Sequence, residues 1–459
     1  MFCVIICLNN CSFGLGVCFM KIGEFSKKFN VSVSTVRHYI NLGLLVPEKD
    51  GYQYRFTDSD CREMEIIASM KDAGFKLNEL NKYLSIFRFY NKDDYFLYEK
   101  LVEYLNEKKN RLYEERNQIN TYIRLINKKI KEIESDHTYS SNKSAYTDTP
   151  EAAGPLPGFP LSAVCLLHCP HCQSKLNLSN VDISGDSIIS GNLTCSCGYG
   201  ASIKNGVMFT ENLMDLENDP KFLECYFGEE NLISNEDGML LMGMKEHSNE
   251  YLTNLYKSSL WIYNELASYD FQGKTILCPD LSCQYLYSRY DGENALGSTF
   301  LVTALSERSI RSMRQHIANA NPNLKVAYII NQNGRLPLKN SCIDVIIDYM
   351  GSCNLGFFQK THYLDTVAPY IAEDALVVGT AEYYSPNSPS IKRIHQLYSN
   401  AAPDVFTFDF IKTTLEENGF NIEKTEKISE GYNPGRFFEY HIAGDIRSNI
   451  VYLARRPHP

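Results

Sequence analysis

Two pairs of closely spaced cysteines give the chain its most specific chemical signal. Two residues separate Cys169 from Cys172, one residue separates Cys195 from Cys197, and Gly198 follows the second pair. Alternating apolar residues between the pairs predict a β-hairpin, and two thiolate pairs presented by turns across a hairpin match the tetrahedral coordination of Zn²⁺. We therefore expect a structural Zn²⁺ site with no open position for catalysis. The alternative is a ribbon whose cysteines are buried without a metal.

A second set of polar residues lies on a predicted helix near the amino end. Ile22, Phe25 and Phe29 recur at helical spacing and predict a short helix before it. Ser32 can then cap the second helix, because its hydroxyl can accept a free backbone N–H of the first turn. Two short helices joined by a tight turn describe a helix-turn-helix. The donor-rich face of the second helix supplies the candidate DNA-contacting residues Ser34, Thr35, Arg37, His38 and Tyr39.

A short hairpin is predicted directly after these helices. Asp50-Gly51 is a hairpin turn signal, and aromatic residues alternate after it. Such a hairpin would form a wing beside the helix-turn-helix, with side chains available to phosphates. Its candidate DNA-contacting residues are Lys49, Tyr52, Tyr54 and Arg55.

The order of these elements resembles the DNA-binding domain of the MerR family of bacterial transcription regulators. The resemblance rests on the helix-turn-helix, NLGLL at 41–45, the YQYRF wing at 52–56 and a helix pair joined by AGF at 73–75. It implies a dimer that binds double-stranded promoter DNA, distorts it and acts with RNA polymerase at the promoter. Ser34 and His38 depart from the usual family residues, so the base preference is expected to differ. The alternative is a helical module with no nucleic-acid partner.

A long helix is predicted over residues 93–135. It contains neither Gly nor Pro and balances acidic with basic residues. Lys108, Glu115 and Lys129 interrupt the second seam position, so the pattern favours a coiled coil of imperfect seam. The resemblance implies that this helix pairs two protomers into a homodimer; the alternative is a helix packed on its own chain. A period of seven selects Tyr98, Leu105, Leu112, Ile119, Ile126 and Ile133.

Length and composition indicate several domains in a cytoplasmic protein. With 459 residues, 44% of them hydrophobic, the chain can bury large cores, and its net charge of −10 speaks against a general nucleic-acid coat. Its 15 cysteines are scattered rather than arranged as an extracellular disulfide pattern, which favours a reducing cytoplasm. Residues 1–19 are apolar and are interpreted as a non-native extension before Met20, with a membrane anchor as the alternative; no membrane partner is expected. Residues 136–162 are rich in Ser, Thr, Pro and Gly and are predicted to be a linker.

From about residue 248 onward, apolar strands alternate with amphipathic helices, which predicts a mostly parallel, doubly wound sheet. The strand order with GKTIL at 273–277, RLPLKNSCIDVII at 335–347 and LEENGF at 415–420 resembles class I S-adenosylmethionine-dependent methyltransferases. A zinc ribbon before such a domain resembles the bacterial 23S rRNA guanine-N1 methyltransferases in particular. The resemblance implies a crevice for S-adenosylmethionine at the carboxyl ends of the strands.

The residues that this resemblance assigns to the cofactor depart from its pattern. The turn after the first strand contains no glycine, and Pro279 removes a backbone donor. Ala304 stands where an acid would hold the ribose, and Gln332 stands where an acid would hold the adenine amine. We therefore expect S-adenosylmethionine binding to be lost. The candidate residues of this degenerate pocket are Asp280, Ser282, Gln284, Ala304 and Gln332.

The sequence thus predicts a multidomain chain: an α-rich winged helix-turn-helix, a long coiled-coil helix, a small zinc ribbon and a carboxyl-terminal α/β doubly wound, methyltransferase-like domain. The boundaries are an extension at 1–19, a DNA-binding domain at 20–92, a coiled coil at 93–135, a linker at 136–162, a ribbon at 163–212 and an α/β domain at 213–459. The favoured function is a MerR-type regulator whose carboxyl-terminal module senses an unknown small-molecule effector. The alternatives are an active RNA guanine methyltransferase that controls its own transcription, and an inert body that only stabilises the dimer.

Overall fold

The computed structural model describes residues 19–89, 95–135, 156–219, 222, 248–282, 285–286, 297–332, 334–398, 400–401, 403–433 and 438–457. The chain forms two compact units, residues 1–146 and residues 147–459. Residues 1–18 of the predicted extension, residues 136–155 of the predicted linker and Gln284 lie outside the described residues.

The amino-terminal unit contains the winged helix-turn-helix and the long helix. Its helices are α1 Ile22–Lys28, α2 Val33–Asn41, α3 Asp58–Asp72, α4 Leu77–Phe89 and α5 Tyr95–Glu134, and its hairpin strands are β1 Glu48–Asp50 and β2 Gln53–Arg55. Ser32 caps α2, its Oγ accepting the Thr35 N–H at 3.0 Å, as expected from the sequence. Phe25 and Phe56 stack at 4.2 Å between ring centroids in the core beneath the wing.

One arginine ties the turn after α2 to the two following helices. Arg88 of α4 donates to both carboxylate oxygens of Glu63 on α3, each at 2.7 Å. It also donates to the backbone carbonyls of Gly43 and Leu44 at 2.9 Å. A bidentate pair of this kind fixes direction as well as distance, so the NLGLL segment is held in place relative to α3 and α4.

The helix α5 packs on this core only through its first part. Leu101 is buried, the Tyr104 hydroxyl donates to the Glu79 carbonyl at 3.0 Å, and Lys108 Nζ lies 2.9 Å from the Glu79 carboxylate. Beyond these contacts, large apolar side chains of α5 are exposed within the unit. They are Leu112, Tyr113, Ile119, Tyr122, Ile123, Leu125, Ile126, Ile130 and Ile133.

The carboxyl-terminal unit is built around one large mixed sheet. Its strands are β3 Phe159–Pro160, β4 Asn177–Ser184, β5 Ser187–Thr194, β6 Gly200–Lys204, β7 Val207–Phe209, β8 Thr275–Pro279, β9 Thr299–Ala304, β10 Val326–Ile330, β11 Ile343–Asp348, β12 Ile371–Tyr383, β13 Asn421–Gly431 and β14 Arg447–Arg455. Among the described residues their order is β13-β14-β12-β11-β8-β9-β10-β7-β6-β5-β3, with β4 paired to β5. The strands β12, β11, β8, β9, β10 and β7 run parallel.

Helices cover both faces of the parallel part of the sheet, as the sequence predicts. The helices are α6 Asn249–Leu266, α7 Glu307–Ala320, α8 Gly351–Leu355, α9 Tyr363–Val367, α10 Pro389–Leu397 and α11 Phe408–Glu417. Every residue of β8, β9 and β10 is buried, as expected for strands packed on both faces. Strand order reverses between β8 and β11, so the crevice expected for a ligand lies at their carboxyl ends.

The ribbon is continuous with the body, which the predicted domain boundary at 212/213 did not anticipate. Strand β7 pairs in parallel with β10, with Val207 opposite Tyr328 and Phe209 opposite Ile330. This pairing covers an edge that β10 would otherwise expose. The predicted linker also ends early, because Phe159 of β3 is buried and pairs with Ile188 of β5. A short ribbon strand can complete a neighbouring sheet, and no local sequence pattern specifies such a pairing.

Candidate nucleic-acid interface and metal centre

The exposed face of α2 carries most of the polar residues that the sequence singled out. Ser34, Arg37 and His38 are exposed, and Thr35 is partly buried. The Ser34 and Thr35 hydroxyls lie 2.6 Å and 2.8 Å from the Oγ of the capping residue Ser32. These hydroxyls therefore also help to order the first turn of α2. Arg37 and His38 project from the next turn and are the better placed residues for an external ligand.

Tyr39 differs from its prediction as a residue of the exposed face. Its ring is only 3% exposed and belongs to the core of the unit. Its hydroxyl accepts a hydrogen bond from Lys71 Nζ of α3 at 3.0 Å. Tyr39 follows the buried Val36 by three positions, which is the spacing of one helix face, so the apolar period carries it inward. The structure brings the exposed Lys71 to the Tyr39 hydroxyl. The sequence analysis missed Lys71 because it lies 32 positions from Tyr39.

The wing exposes one aromatic residue fully. Tyr52 lies in the β1–β2 turn with its side chain entirely in solvent. Lys49 lies opposite Tyr54 in the hairpin, with Nζ 5.7 Å from the ring centroid. Arg55 pairs with Asp50 across the hairpin, and both side chains are about half exposed. An exposed pair of this kind contributes little to stability, so a phosphate can compete with Asp50 for the guanidinium.

The four predicted metal ligands come together in one cluster. The Sγ atoms of Cys169, Cys172, Cys195 and Cys197 all lie within 4.8 Å of one another. Cys169 lies 3.4 Å from Cys197, and Cys172 lies 3.4 Å from Cys195, measured between sulfur atoms. Four converging thiol groups suit tetrahedral Zn²⁺. The donor set therefore fits a structural zinc ion, which all four cysteines would hold.

The thiols of this cluster differ in their surroundings. Burial raises the pKa of the Cys169 thiol to about 12, whereas the hydroxyl and the backbone N–H of Ser174 lower the pKa of the exposed Cys172 thiol to about 6. Zn²⁺ binds thiolates and displaces their protons. The Cys172 thiol therefore loses its proton more readily than the Cys169 thiol.

The neighbouring histidines are not part of the cluster. His171 points its Nε2 at the Glu211 carboxylate, 2.9 Å away, and its backbone N–H donates to Cys169 Sγ at 3.4 Å. His168 and His171 stand beside the first cysteine pair in the sequence, where either could have served as a spare ligand. Among the described residues, the grouped metal-binding side chains are the four cysteines.

The cysteine turn is joined by hydrogen bonds to the loop that precedes β11. The His168 N–H donates to the Pro337 carbonyl at 3.2 Å, and the Asn340 N–H donates to Gln173 Oε1 at 3.1 Å. The Lys339 N–H donates to the Leu166 carbonyl at 2.8 Å. The metal centre is therefore packed against the body by backbone hydrogen bonds from both directions.

The turn after β8 is tightly filled. Asp280 is buried with φ at +46°, and its carboxylate accepts a hydrogen bond from Asn354 Nδ2 at 2.5 Å. A Cβ atom built on Gly351, the first residue of α8, would lie 2.1 Å from the Pro279 carbonyl oxygen and 2.5 Å from Ser282 Oγ. The amino end of α8 thus packs directly on this turn, at the point where strand order reverses.

The other two pocket positions are also engaged within the protein. Ala304 ends β9 and is buried. The Gln332 side-chain amide accepts the Met214 N–H at 2.7 Å and donates to the Met214 and Leu305 carbonyls at 3.1 Å and 3.0 Å. Met214 belongs to the segment that leaves the ribbon, so this segment occupies the hydrogen-bonding groups of Gln332.

Comparison with known proteins identifies the amino-terminal domain. Residues 20–85 match the family model described as MerR HTH family regulatory protein. The chain is 29% identical over 69 residues to the HTH-type transcriptional regulator HmrR of Rhizobium leguminosarum bv. viciae, covering 15% of this chain and 54% of that protein. It is 30% identical over 70 residues to the HTH-type transcriptional regulator AdhR of Bacillus subtilis, covering 15% and 50%. The chain therefore spans about half the length of the curated relatives it matches.

Structural comparison gives only weak likenesses for the carboxyl-terminal unit. The MccD protein matches with a TM-score of 0.32 and 12% identity, covering 43% of this chain and 96% of that one. Geranyl diphosphate C-methyltransferase from Streptomyces coelicolor matches with a TM-score of 0.29 and 12% identity, covering 42% and 74%. The strand order is the firmer basis for the resemblance to methyltransferases. No helix in the described part of the chain is both long and apolar enough to cross a membrane.

Replacing Cys197 with Ser is expected to reduce bound zinc from about one ion per chain to well below one, because a four-thiolate site loses a ligand. It should also lower the midpoint of thermal unfolding of the carboxyl-terminal unit, since the ribbon shares a sheet with the body. Trp261 of α6 is the single tryptophan of the chain, so its fluorescence measures the unfolding of that unit. Metal analysis of the purified variant measures the zinc.

The matched control is Cys165→Ser, an exposed cysteine near the cluster in sequence but outside it. It should keep the zinc content and the unfolding midpoint of the unaltered protein. Equal zinc content in the Cys197→Ser and Cys165→Ser variants would contradict the assigned ligand set.

Proposed function

We propose that this protein is a dimeric MerR-type transcription regulator that binds promoter DNA through α2 and the wing. The match of residues 20–85 to the MerR family model is the observation that carries the proposal. The exposed Arg37 and His38 on α2, and Tyr52 at the tip of the wing, support it. We place its action in the bacterial cytoplasm, at promoters occupied by RNA polymerase.

Phosphate contacts would position the protein on the duplex, and base contacts would set its sequence preference. Lys49, Arg55 and Lys71 offer charged donors at the wing and at the end of α3. Arg37 and Ser34 lie on the helix that would enter the major groove. The protein would also distort the promoter. The free energy of this distortion depends on the DNA sequence, so it would add to the preference for particular promoters.

Pairing of two protomers would use the apolar stripe of α5. Ile119, Ile126 and Ile133 recur every seven residues and are each exposed by more than half. Apolar side chains at this period are the seam of a coiled coil, and burying them removes a contiguous apolar surface from water. A two-fold dimer would match the two half-sites of a pseudo-palindromic operator.

We infer that the carboxyl-terminal module is a sensor rather than a methyltransferase. Ala304 offers no carboxylate to ribose hydroxyls, and the Gln332 amide already pairs with the Met214 backbone. Gly351 and Asn354 of α8 pack on the turn where the methionine end of S-adenosylmethionine would lie. The residues present therefore do not fit this cofactor, and no methyl transfer is derived from them.

The alternative of an active RNA methyltransferase keeps one supporting observation. The sheet places β11, β8, β9 and β10 in the order expected for class I methyltransferases, with an antiparallel β14 beyond β12. This order describes the fold and not the chemistry, since one fold carries many functions. Binding of the cofactor therefore decides between the two proposals.

Arg37→Ala is expected to weaken operator binding and to reduce the slope of log affinity against log salt by about 1, because one phosphate contact is lost. Binding is measured by fluorescence anisotropy on a duplex selected from a random library, at several salt concentrations. Arg124→Ala, an exposed arginine on α5, is the charge-matched control and should keep both affinity and slope. An unaltered slope in Arg37→Ala would refute the phosphate contact.

Ile126→Asp is expected to convert the dimer into single chains, because it places a charge in the seam of α5. Sedimentation velocity of the full-length protein measures the mass. Asn127→Asp adds the same acidic group one position along the helix, outside the period of seven, and should remain dimeric. A dimer that persists in Ile126→Asp would show that another surface joins the protomers.

Adding S-adenosylmethionine at about 1 mM is expected to leave the thermal unfolding midpoint unchanged, whereas a ligand at 100 times its Kd stabilises by about 2.7 kcal/mol. Differential scanning fluorimetry of the full-length protein measures the midpoint. A clear rise would restore the methyltransferase alternative.

A further inference from the structure

A fully buried arginine lies at the carboxyl end of one of the central strands. Arg447 is the first residue of β14, and 0% of its surface is exposed. It lies beside the end of β12, where Ser448 pairs with Tyr383. Its Nε, Nη1 and Nη2 have no hydrogen-bond partner among the residues that the structure describes.

A guanidinium in this state is costly. It carries five N–H donors and a permanent charge, and each buried donor left without an acceptor loses its hydration without compensation. Arg314, another buried arginine of the same unit, has backbone acceptors for its Nη2, the carbonyls of Pro157 and Asn205, although its Nε has no partner among the described residues. Arg447 has no such acceptors in the described part of the chain.

The guanidinium lies over two aromatic rings. The Cζ atom of Arg447 lies 4.6 Å from the ring centroid of Tyr251 on α6 and 5.1 Å from that of Phe438. These rings pack edge to face against each other at 4.7 Å. Cation–π contacts of this kind stabilise the charge but supply no oxygen acceptor for the N–H groups.

Further polar atoms around the aromatic cluster are also buried without partners in the described residues. Tyr384 Oη, one position after β12, and His441 Nδ1 are two of them, and the two rings lie 5.6 Å apart. Asn254 Nδ2, one helical turn after Tyr251 on α6, is a third. Buried polar atoms without hydrogen-bond partners that gather around such a guanidinium indicate a missing polar group.

The charged groups near Arg447 do not replace that group. Glu382 of β12 attracts the guanidinium but makes no hydrogen bond with it in the described structure. Burial raises the pKa of the Glu382 carboxyl, and the attraction of the Arg447 guanidinium opposes part of this rise. Glu250 Oε1 of α6 and Arg447 Nη2 lie 2.8 Å and 3.7 Å from a Cβ built on Gly431, so this carboxylate also lies near the guanidinium without a hydrogen bond to it.

We propose that Arg447, with the rings of Tyr251 and Phe438, binds a small organic anion, a carboxylate or phosphate attached to a flat apolar body. The guanidinium edge would take two anion oxygens in a bidentate contact. Tyr384 and His441 would serve as further polar contacts, and the rings would hold the apolar body. The proposal of an anion site depends only on these contacts. Its role as the effector site rests on the proposed function, because an effector must bind one state of the dimer more tightly than the other.

The test uses the full-length protein and two probes, benzoate and phenyl phosphate, with benzamide as the uncharged counterpart of benzoate. Isothermal titration calorimetry is expected to show saturable binding of one or both anions and none of benzamide. Preference for benzoate or for phenyl phosphate distinguishes a carboxylate from a phosphate ligand. Arg447→Met should weaken this binding by about 30-fold or more, as expected when a buried charge contact is removed.

Arg455→Met is the matched control, because Arg455 lies on the same strand and over a tyrosine ring but donates to Glu423 and Tyr269. It should bind the anions as the unaltered protein does. Without ligand, the unfolding temperature of Arg447→Met shows whether the variant folds, since the buried Glu382 carboxyl loses the cation that attracts it. Arg447→Lys keeps the charge but loses the planar guanidinium that makes a bidentate contact. It should bind the anions about tenfold more weakly.

Two results would overturn the proposal. They are the absence of saturable binding by both anions, and equal anion binding in the folded Arg447→Met or Arg447→Lys variant. Binding to selected duplex DNA is measured separately, with and without the bound anion. Loss of DNA binding alone would end the regulatory proposal and leave the anion site standing.

Discussion

The carboxyl-terminal unit depends on the parallel pairing of β7 with β10. Without β7, the strand β10 would present a row of unpaired backbone groups at the edge of a buried sheet. Three residue pairs, from Val207 with Tyr328 to Phe209 with Ile330, join the ribbon to the body through this edge. The ribbon, its cysteine cluster and the doubly wound sheet therefore form one structural unit, so a metal held by the cluster would stabilise more than the ribbon.

This pairing also determines what covers the ligand crevice. The chain that leaves β7 runs to Met214, whose backbone pairs with the Gln332 amide near the end of β10. On the other side of the point where strand order reverses, between β8 and β11, α8 packs on the Pro279–Ser282 turn through Gly351. Both ends of the expected cofactor position are thus occupied by the protein itself. Buried polar atoms without partners among the described residues include Ser282 Oγ of this turn, and several others gather around Arg447 at the start of β14.

Much of the amino-terminal unit was predictable because its signals are local. The Ser32 cap, the Asp50-Gly51 turn and the helical periods each act within a few residues, and the structure has α1 to α4 and the hairpin where these signals place them. Tyr39 was misplaced because its donor-rich neighbours were given more weight than its spacing from Val36. Lys71 and the Arg88–Glu63 pair depend on contacts across more than 20 positions, which no local pattern specifies.

The sequence by itself determined the four cysteines of the metal cluster, the helix-turn-helix with its wing, the long helix α5 and the alternating α/β body. Each follows from residue type and short-range spacing, which set local geometry and ligand chemistry. Only the tertiary structure decided that the ribbon completes the sheet, that Gln332 is engaged by Met214 and that Arg447 is buried without an acceptor among the described residues. These features depend on strand pairing and burial between distant segments, and such non-local contacts leave no periodic trace in the sequence.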